Sequence, residues 1–316
     1  MPPLADFQMP LALFAVFILG FVLSKRGISH RQVAKVLSSC LTFIFYPSLI
    51  FASITKFSDT TLRASILKTM LLTVLILVLG RILGRLWIAR YGPLETSVEQ
   101  TNRFMLTMPN YIFLPLPIAT YLYGDAAAAL VIVGALAADV FMWLVAIPTL
   151  AQGRILGRYL FNPPIIAGVF ALLLAKNVVS VSPAKAGNLL KWTDKVGAGA
   201  VPVAMYILGH YIAGSSFRLK ADASAAFVTL TRLIFVPLCA FFPIFYLTNE
   251  GIRQDVLLLV STMPAAIAAL VIGPSFGADI YTARRQVMST HFFALMTVPA
   301  WLFLLHPLLK RLLNSF

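Results

Sequence analysis

Charged side chains are scarce in this sequence. Of its 316 residues only 11% are Asp, Glu, Lys or Arg, whereas 60% are hydrophobic, and the mean hydropathy is +0.90. A soluble domain is only about half apolar, and it could not cover this much apolar surface with so few charges. Apolar stretches of about twenty residues, the length that crosses a bilayer, recur along the whole chain. The composition therefore excludes an ordinary soluble domain and predicts an all-α membrane protein.

Cysteine and catalytic motifs are nearly absent as well. The two cysteines, Cys40 and Cys239, fall within apolar stretches, which predicts neither a disulfide framework nor a thiolate metal site. We expect no metal and no other cofactor. The sequence has no His-Glu-x-x-His pair and no phosphate-binding loop, so we predict that the protein is not an enzyme. The net charge of +14 lies mostly in the gaps between apolar stretches, which predicts contact with membrane lipid and no nucleic-acid partner.

The apolar stretches predict a multi-pass membrane protein with ten spans. More Lys and Arg residues follow the odd-numbered spans than the even-numbered ones, and by the positive-inside rule this predicts that both termini are extracytoplasmic. Short loops and the lack of a glycosylation sequon predict a prokaryotic inner membrane. The predicted spans lie near 7–24, 36–55, 66–88, 104–123, 127–150, 160–176, 193–214, 223–247, 255–275 and 286–308.

One fixed offset of about 155 residues aligns the two halves of the chain. Because each half has an odd number of spans, the second half must cross the membrane in the opposite sense. The sequence therefore predicts two inverted five-helix repeats, 1–153 and 154–316. The matched positions are Thr107-Met108-Pro109 with Thr262-Met263-Pro264, Pro47 with Pro202, and Ile112 with Ile267.

The fourth and ninth spans each carry a proline near the middle, Pro109 and Pro264. A proline there removes a backbone hydrogen bond, and a broken helix survives in hydrocarbon only where it faces protein or a wet cavity. Two equivalent breaks predict a substrate site, where half-helix N-termini suit a carboxylate and C-termini suit a cation. Thr107, Asn110 and Tyr111 flank the first break. An Asn side chain at this depth needs a partner, which is either freed backbone or substrate.

Four further residues complete the sequence-based candidates. Asp139 lies about halfway along the fifth span and marks either a proton or cation site or a protonated, hydrogen-bonded structural carboxyl group. Tyr46 either lines a substrate cavity or packs as an ordinary apolar ring. We predict that Arg232, in the eighth span, extends toward the interface, with assistance to an anionic substrate as a second role. Thr262 belongs to the ninth-span break.

Several of these motifs resemble the auxin efflux carrier family, which includes plant auxin carriers and bacterial permeases for small carboxylates. The fourth span matches the family's pattern of Leu-Pro-Asn, a later Pro and Tyr-Gly, although the ninth span has Ala265-Ala266 where the plant carriers have a Gln. The resemblance implies helices one, two, six and seven as a scaffold and helices three to five and eight to ten as a transport domain. It also implies that helices four and nine cross at their prolines, with Asn110 as a substrate ligand. The matching residues are Thr107-Met108-Pro109-Asn110, Pro117, Tyr123-Gly124, Tyr46-Pro47, Asn162-Pro163-Pro164 and Met263-Pro264.

The function predicted from these features is a secondary transporter that moves a small organic anion, a carboxylate, by alternating access. The alternative is a sodium- or proton-coupled ion exchanger or bile-acid-type symporter of related fold, which would need more acidic or hydroxyl ligands. A channel is also compatible with the sequence, and a homodimer is a possible assembly. The predicted substrate-binding residues are Asn110, Tyr111, Thr107, Pro109, Pro264, Thr262 and Tyr46, with Asp139 as the coupling candidate.

Overall fold

The computed structural model describes residues 8–56, 60–91, 95–153, 162–175, 183–213, 223–248 and 251–314. Within these ranges the chain is helical and forms no β-strand, as predicted. The terminal residues 1–7 and 315–316, on which the predicted placement of the termini depends, lie outside them. The helices are α1 Gln8–Lys25, α2 Arg31–Cys40, α3 Tyr46–Lys56, α4 Thr60–Tyr91, α5 Thr96–Thr107, α6 Pro115–Tyr123, α7 Asp125–Phe141, α8 Ile147–Leu150, α9 Pro163–Ala175, α10 Pro183–Gly197, α11 Ala200–Ala213, α12 Ala223–Leu230, α13 Val236–Leu247, α14 Gly251–Ser261, α15 Ala268–Val271, α16 Ile280–Ala300 and α17 His306–Asn314.

The helical segments include six that are long and apolar enough to cross a membrane: Gln32–Thr55, Ile66–Ala89, Asp125–Leu150, Gly187–Ala213, Ala223–Leu247 and Ile280–Leu309. They coincide with the second, third, fifth, seventh, eighth and tenth predicted spans. Two shorter apolar helices, Leu11–Lys25 and Pro163–Leu174, lie at the first and sixth. The fourth and ninth predicted spans are interrupted helices. These segments establish a multi-pass membrane protein.

Prolines within the long helices are preceded by turns of π-helix at four places in the described chain. In each case one residue separates the turn from the proline. After three of the turns the N–H of that residue bonds to a carbonyl five residues back, from Tyr46 to Leu41, from Val236 to Thr231 and from His306 to Trp301. The proline ring would collide with the carbonyl four residues before it, so the wider turn continues the helix without that collision. The turns are Leu41–Phe45, Met142–Ala146, Thr231–Phe235 and Trp301–Leu305.

By internal packing the described residues form two units, and the first falls within Met1–Met70, Ile112–Leu144 and Ile155–Phe217. Its closest helix pair is α1 with α11. A β-carbon at Gly20 would overlap the carbonyl oxygen of Tyr206, and one at Gly209 would overlap that of Phe17. Only glycine allows the two backbones to approach this closely. In the same unit α3 packs on α9 and α10, and α6 packs on α7.

The second unit falls within Leu71–Tyr111, Val145–Arg154 and Arg218–Phe316. In it α16 packs against α12 and α5, and α13 packs against α14. The polar side chain of Arg81 is held inside this unit, where its Nη1 donates to Thr149 Oγ1 at 3.0 Å. One apolar cluster of the unit joins α4, α13 and α14 through the buried residues Leu72, Ile76, Val236, Ala240, Ile244 and Leu257.

Candidate functional site

The fourth predicted span breaks at its first proline. Helix α5 ends at Thr107, whose hydroxyl donates to the carbonyl of Arg103 at 2.7 Å, and Met108 has extended backbone angles. Pro109 has no N–H, so the helical ladder cannot continue past it. Helix resumes only with α6 at Pro115. The break therefore leaves several main-chain groups without helical partners at mid-span.

The ninth predicted span breaks at the equivalent place. Helix α14 ends at Ser261, and Thr262 directs its hydroxyl to the carbonyl of Leu259 at 2.7 Å. Pro264 again interrupts the ladder, and α15 begins at Ala268. Both threonines of the repeated Thr-Met-Pro motif thus return their hydroxyl groups to the preceding helical turn.

The two breaks satisfy each other's backbone. They run antiparallel and pair as one isolated β-bridge, a crossing that lies wholly within the second unit. Unpaired N–H and C=O groups cost several kcal/mol each in hydrocarbon, so this pairing removes much of the penalty of breaking two helices. The contacts are the bridge between Pro109 and Ala265, Asn110 N to Pro264 O at 2.7 Å, Ala266 N to Met108 O at 2.9 Å, and Ala265 N to Thr290 Oγ1 at 3.2 Å.

Arg232 lies beneath this crossing on the π-helical turn between α12 and α13. Its Nη1 donates to the carbonyl of Leu106 at 3.2 Å and its Nη2 to that of Met263 at 3.4 Å, one from each break. The side chain is 0% exposed. The prediction that Arg232 extends toward the interface is therefore wrong, because the carbonyls freed by the breaks bind it inside the protein. A β-carbon at Gly80 of α4 would overlap the Leu106 oxygen and lie 3.1 Å from Arg232 Nη1.

The predicted substrate residues of the two breaks are buried at this crossing. Asn110 is 3% exposed, and its side-chain Nδ2 has no hydrogen-bond partner within the described residues. The freed main-chain groups described above bond to other backbone groups, to Thr290 and to Arg232, and none of these bonds involves the Asn110 side chain. Tyr111 and Thr107 are also buried beside it. The structure thus brings Thr107, Pro109 and Asn110 together with the Thr-Met-Pro motif of the ninth span.

The other two predicted residues meet in the first unit. Tyr46 follows the first π-helical turn, and its hydroxyl donates to Asp139 Oδ2 on α7 at 2.6 Å. Both residues are buried, and the Tyr46 ring lies 5.6 Å from that of Phe113. Sequence reasoning proposed the two residues separately and did not predict that they touch.

Sequence reasoning also missed a cluster of buried amides in the second unit. Asn102 Oδ1 accepts hydrogen bonds from Gln286 Nε2 and from Ser224 Oγ, which joins α5, α16 and α12. Gln286 and Thr290 lie on one face of α16, so the cluster continues to the crossing through Thr290. Two polar residues four positions apart in an apolar span were the available signal.

One catalytic pattern does occur in the sequence. Gly273-Pro274-Ser275-Phe276-Gly277 matches Gly-x-Ser-x-Gly, a pattern that in hydrolases requires a strand, a sharp turn and a helix. Here it forms a 3-10 turn after α15, and Ser275 is exposed. The structural context of a nucleophilic serine is therefore missing at this position.

Comparison with known proteins identifies the family. A family model described as membrane transport protein matches residues 7–154 and 147–302. The chain belongs to this family. It is the auxin efflux carrier family, so the resemblance noted in the sequence is confirmed.

Two relatives also match almost the whole chain. An uncharacterized transporter of Methanocaldococcus jannaschii is 24% identical over 297 residues, which cover 92% of this chain and 96% of that protein. An uncharacterized transporter of Methanothermobacter thermautotrophicus is 24% identical over 296 residues, covering 92% of this chain and 95% of that protein. The chain thus belongs to a membrane transport protein family, and both relatives are named as transporters.

Proposed function

We propose that this transporter carries a small organic anion with a carboxylate group, and that the solute binds where the two broken helices cross. The observation that carries the proposal is the Asn110 amide, which is buried beside the crossing with no partner for Nδ2 in the described residues. A buried N–H group without an acceptor is costly. A carboxylate, which accepts hydrogen bonds through two oxygens, is a solute that satisfies it.

The surrounding residues have complementary roles in this proposal. Tyr111 and Thr107 border the solute on the side of the fourth span, and Thr262 borders it on the side of the ninth. Pro109 and Pro264 keep the helices broken, so that the site has main-chain groups as well as side chains around it. Tyr46 is proposed to face the solute during part of the transport cycle.

We further propose that the chain is built of ten helices in two inverted repeats, 1–153 and 154–316, and works by alternating access. The antiparallel pairing of the two Thr-Met-Pro breaks supports this arrangement. So does a second correspondence, because the π-helical turns before Pro148 and Pro307 occupy similar positions in the fifth and tenth predicted spans. Helices one, two, six and seven would then form the scaffold and the others the transport domain.

A coupled ion is the second candidate feature, and the Tyr46–Asp139 contact favours it. A buried carboxyl group in a membrane span is by default a proton or cation site, and Asp139 is 1% exposed. If transport is coupled to an ion, Asp139 takes up a proton or contributes to a sodium site. Tyr46 then adjusts the affinity of Asp139 for that ion through the 2.6 Å hydrogen bond. Sodium would need several further oxygen ligands.

Ligand-dependent thermal stability in detergent tests the proposal. Acetate, malonate, malate, indole-3-acetate and sodium are each added to wild type, Asn110→Ala and the matched control Asn162→Ala, in which the same change removes an amide at the start of α9. We expect one carboxylate to raise the melting midpoint of wild type and Asn162→Ala but not of folded Asn110→Ala. If only sodium or pH changes the midpoint, the ion-exchanger function replaces the anion carrier.

A further inference from the structure

Arg232 is a fully buried cation whose contacts leave its charge unbalanced. Its two hydrogen bonds go to neutral carbonyl groups, those of Leu106 and Met263. Its Nε is buried and has no hydrogen-bond partner in the described chain. Carbonyl dipoles stabilise a guanidinium but do not neutralise it. A buried charge without a counter-charge is expensive, so an anion near this position would be strongly favoured.

The described carboxylates of the second unit are occupied elsewhere. None forms an ion pair with Arg232, and each has an identified partner of its own. These partners are Ser97 for Glu95, Arg103 for Glu99, His306 for Asp255, and the backbone N–H of Thr282 for Asp279. The balancing charge therefore has to come from outside the described part of this unit.

The position of Arg232 connects the missing charge with the crossing. The two carbonyls that bind its guanidinium come one from each broken helix, within a few residues of Asn110 and of Pro264. In a low-dielectric interior a unit charge acts over such distances with little screening. Gly80 adds to the site, since any larger residue there would press on both the Leu106 carbonyl and Arg232 Nη1.

We infer that Arg232 supplies the fixed positive charge that makes the crossing select anions, and that the carboxylate of the solute is its counter-charge. Asn110 then provides a hydrogen bond, while Arg232 determines the sign of the solute's charge. The same cation disfavours sodium at the crossing. This inference rests on the proposed function, which places the solute at the crossing.

The test separates the charge of Arg232 from its hydrogen bonds. Arg232→Gln keeps amide donors for the two carbonyls but removes the charge, whereas Arg232→Lys keeps the charge. Each protein is titrated in detergent with whichever of the carboxylates named above most stabilises wild type, and with the corresponding uncharged carboxamide. We expect Arg232→Gln to bind the carboxylate at least about tenfold more weakly and to lose its preference over the amide. Arg232→Lys should keep that preference.

The outcomes distinguish the inference from the function on which it rests. A folded Arg232→Gln protein that still prefers the carboxylate, with binding that still depends on Asn110, overturns the inference and leaves the function intact. If no carboxylate stabilises wild type, the proposed function itself fails. Should Arg232→Gln not fold, Arg232→Lys decides: a preserved preference for the carboxylate supports the inference, and a lost preference overturns it.

Discussion

The two broken helices pair their backbones in the same way, but their side chains differ after the proline. Both contain Thr-Met-Pro, both return the Thr hydroxyl to the preceding turn, and each accepts a backbone hydrogen bond from the other. After the proline they diverge, since the fourth span continues with Asn110-Tyr111 and the ninth with Ala265-Ala266. The shared part fits the need to pair main chain in the absence of water. We propose that the solute contacts are concentrated in the part that differs.

The two breaks also differ in which of their polar groups have hydrogen-bond partners in the described chain. In the ninth break the backbone N–H groups of Ala265 and Ala266 are both used, by Thr290 and Met108. In the fourth break the side-chain Nδ2 of Asn110 has no hydrogen-bond partner within the described residues. Arg232 has no arginine counterpart in the first half, because the residue at the corresponding offset is Leu77. Two similar backbone breaks therefore carry different sets of polar groups.

Arg232→Ala should have the largest effect on stability, because this residue serves both breaks. Two carbonyls lose their donor and a cavity replaces a large side chain, so we expect the free energy of unfolding to fall by about 3–5 kcal/mol. Denaturant unfolding in detergent measures it. Arg85→Ala, the same change at an exposed position of α4, is the control. A loss below about 1 kcal/mol would show that the breaks do not depend on the guanidinium.

Exchanging the side chains of the two breaks tests their inequivalence directly. Asn110→Ala should weaken carboxylate binding by about tenfold or more, with little change in the melting midpoint without ligand, because Nδ2 makes no bond in the described protein. Adding Ala265→Asn should cost about 1–3 kcal/mol by overpacking a site that is 0% exposed.

We expect the double variant to remain deficient in binding, as shown by titration calorimetry. Recovery of wild-type affinity would mean that an amide serves equally well in either break, and that the two breaks are equivalent in solute binding.

Thr290→Val tests how much the ninth break depends on a side-chain acceptor for its backbone. It removes the acceptor of the Ala265 N–H with almost no change of shape, and an unsatisfied buried donor costs about 1–3 kcal/mol. Thr297→Val on the same helix is a matched control, because the Thr297 hydroxyl has no partner in the described chain. Equal unfolding free energies for the two variants would contradict the assigned role of Thr290.

Tyr46→Phe should have the smallest effect, since it removes one hydrogen bond outside the crossing. We expect a loss of about 1 kcal/mol, together with a changed dependence of uptake on pH or sodium in proteoliposomes. An unchanged ion dependence would argue that Asp139 has a structural role. The Phe variant keeps the ring that packs against Phe113, so a loss of stability can be assigned to the missing hydroxyl group.

The sequence was sufficient for the positions of the breaks, because a proline interrupts a helix whatever surrounds it. It also indicated most of the apolar segments, since bilayer thickness limits their length. It could not predict that Pro109 faces Ala265. The register of that bridge depends on contacts between distant parts of the chain, such as the one at Gly80 of α4, where a β-carbon would overlap the Leu106 oxygen.

The failure at Arg232 has a specific physical cause. An isolated cation at this depth in the bilayer lowers its energy by reaching water. Arg232 is not isolated, because carbonyls freed at two distant prolines converge on its guanidinium, and the sequence alone does not reveal that convergence. Likewise Tyr46 and Asp139, 93 residues apart, were each marked as unusual, yet their contact required the folded helices.

The bridge between Pro109 and Ala265 also has a consequence for biogenesis. The ribosome delivers the fourth-span break about 155 residues before its partner, which at about 5–20 residues per second is a delay of about eight to thirty seconds. During that interval the polar backbone at Met108 and Asn110 has no ninth span to pair with. The insertion machinery or retained water must shelter this backbone until synthesis passes Pro264. The nascent first half therefore depends on that protection before it can complete its fold.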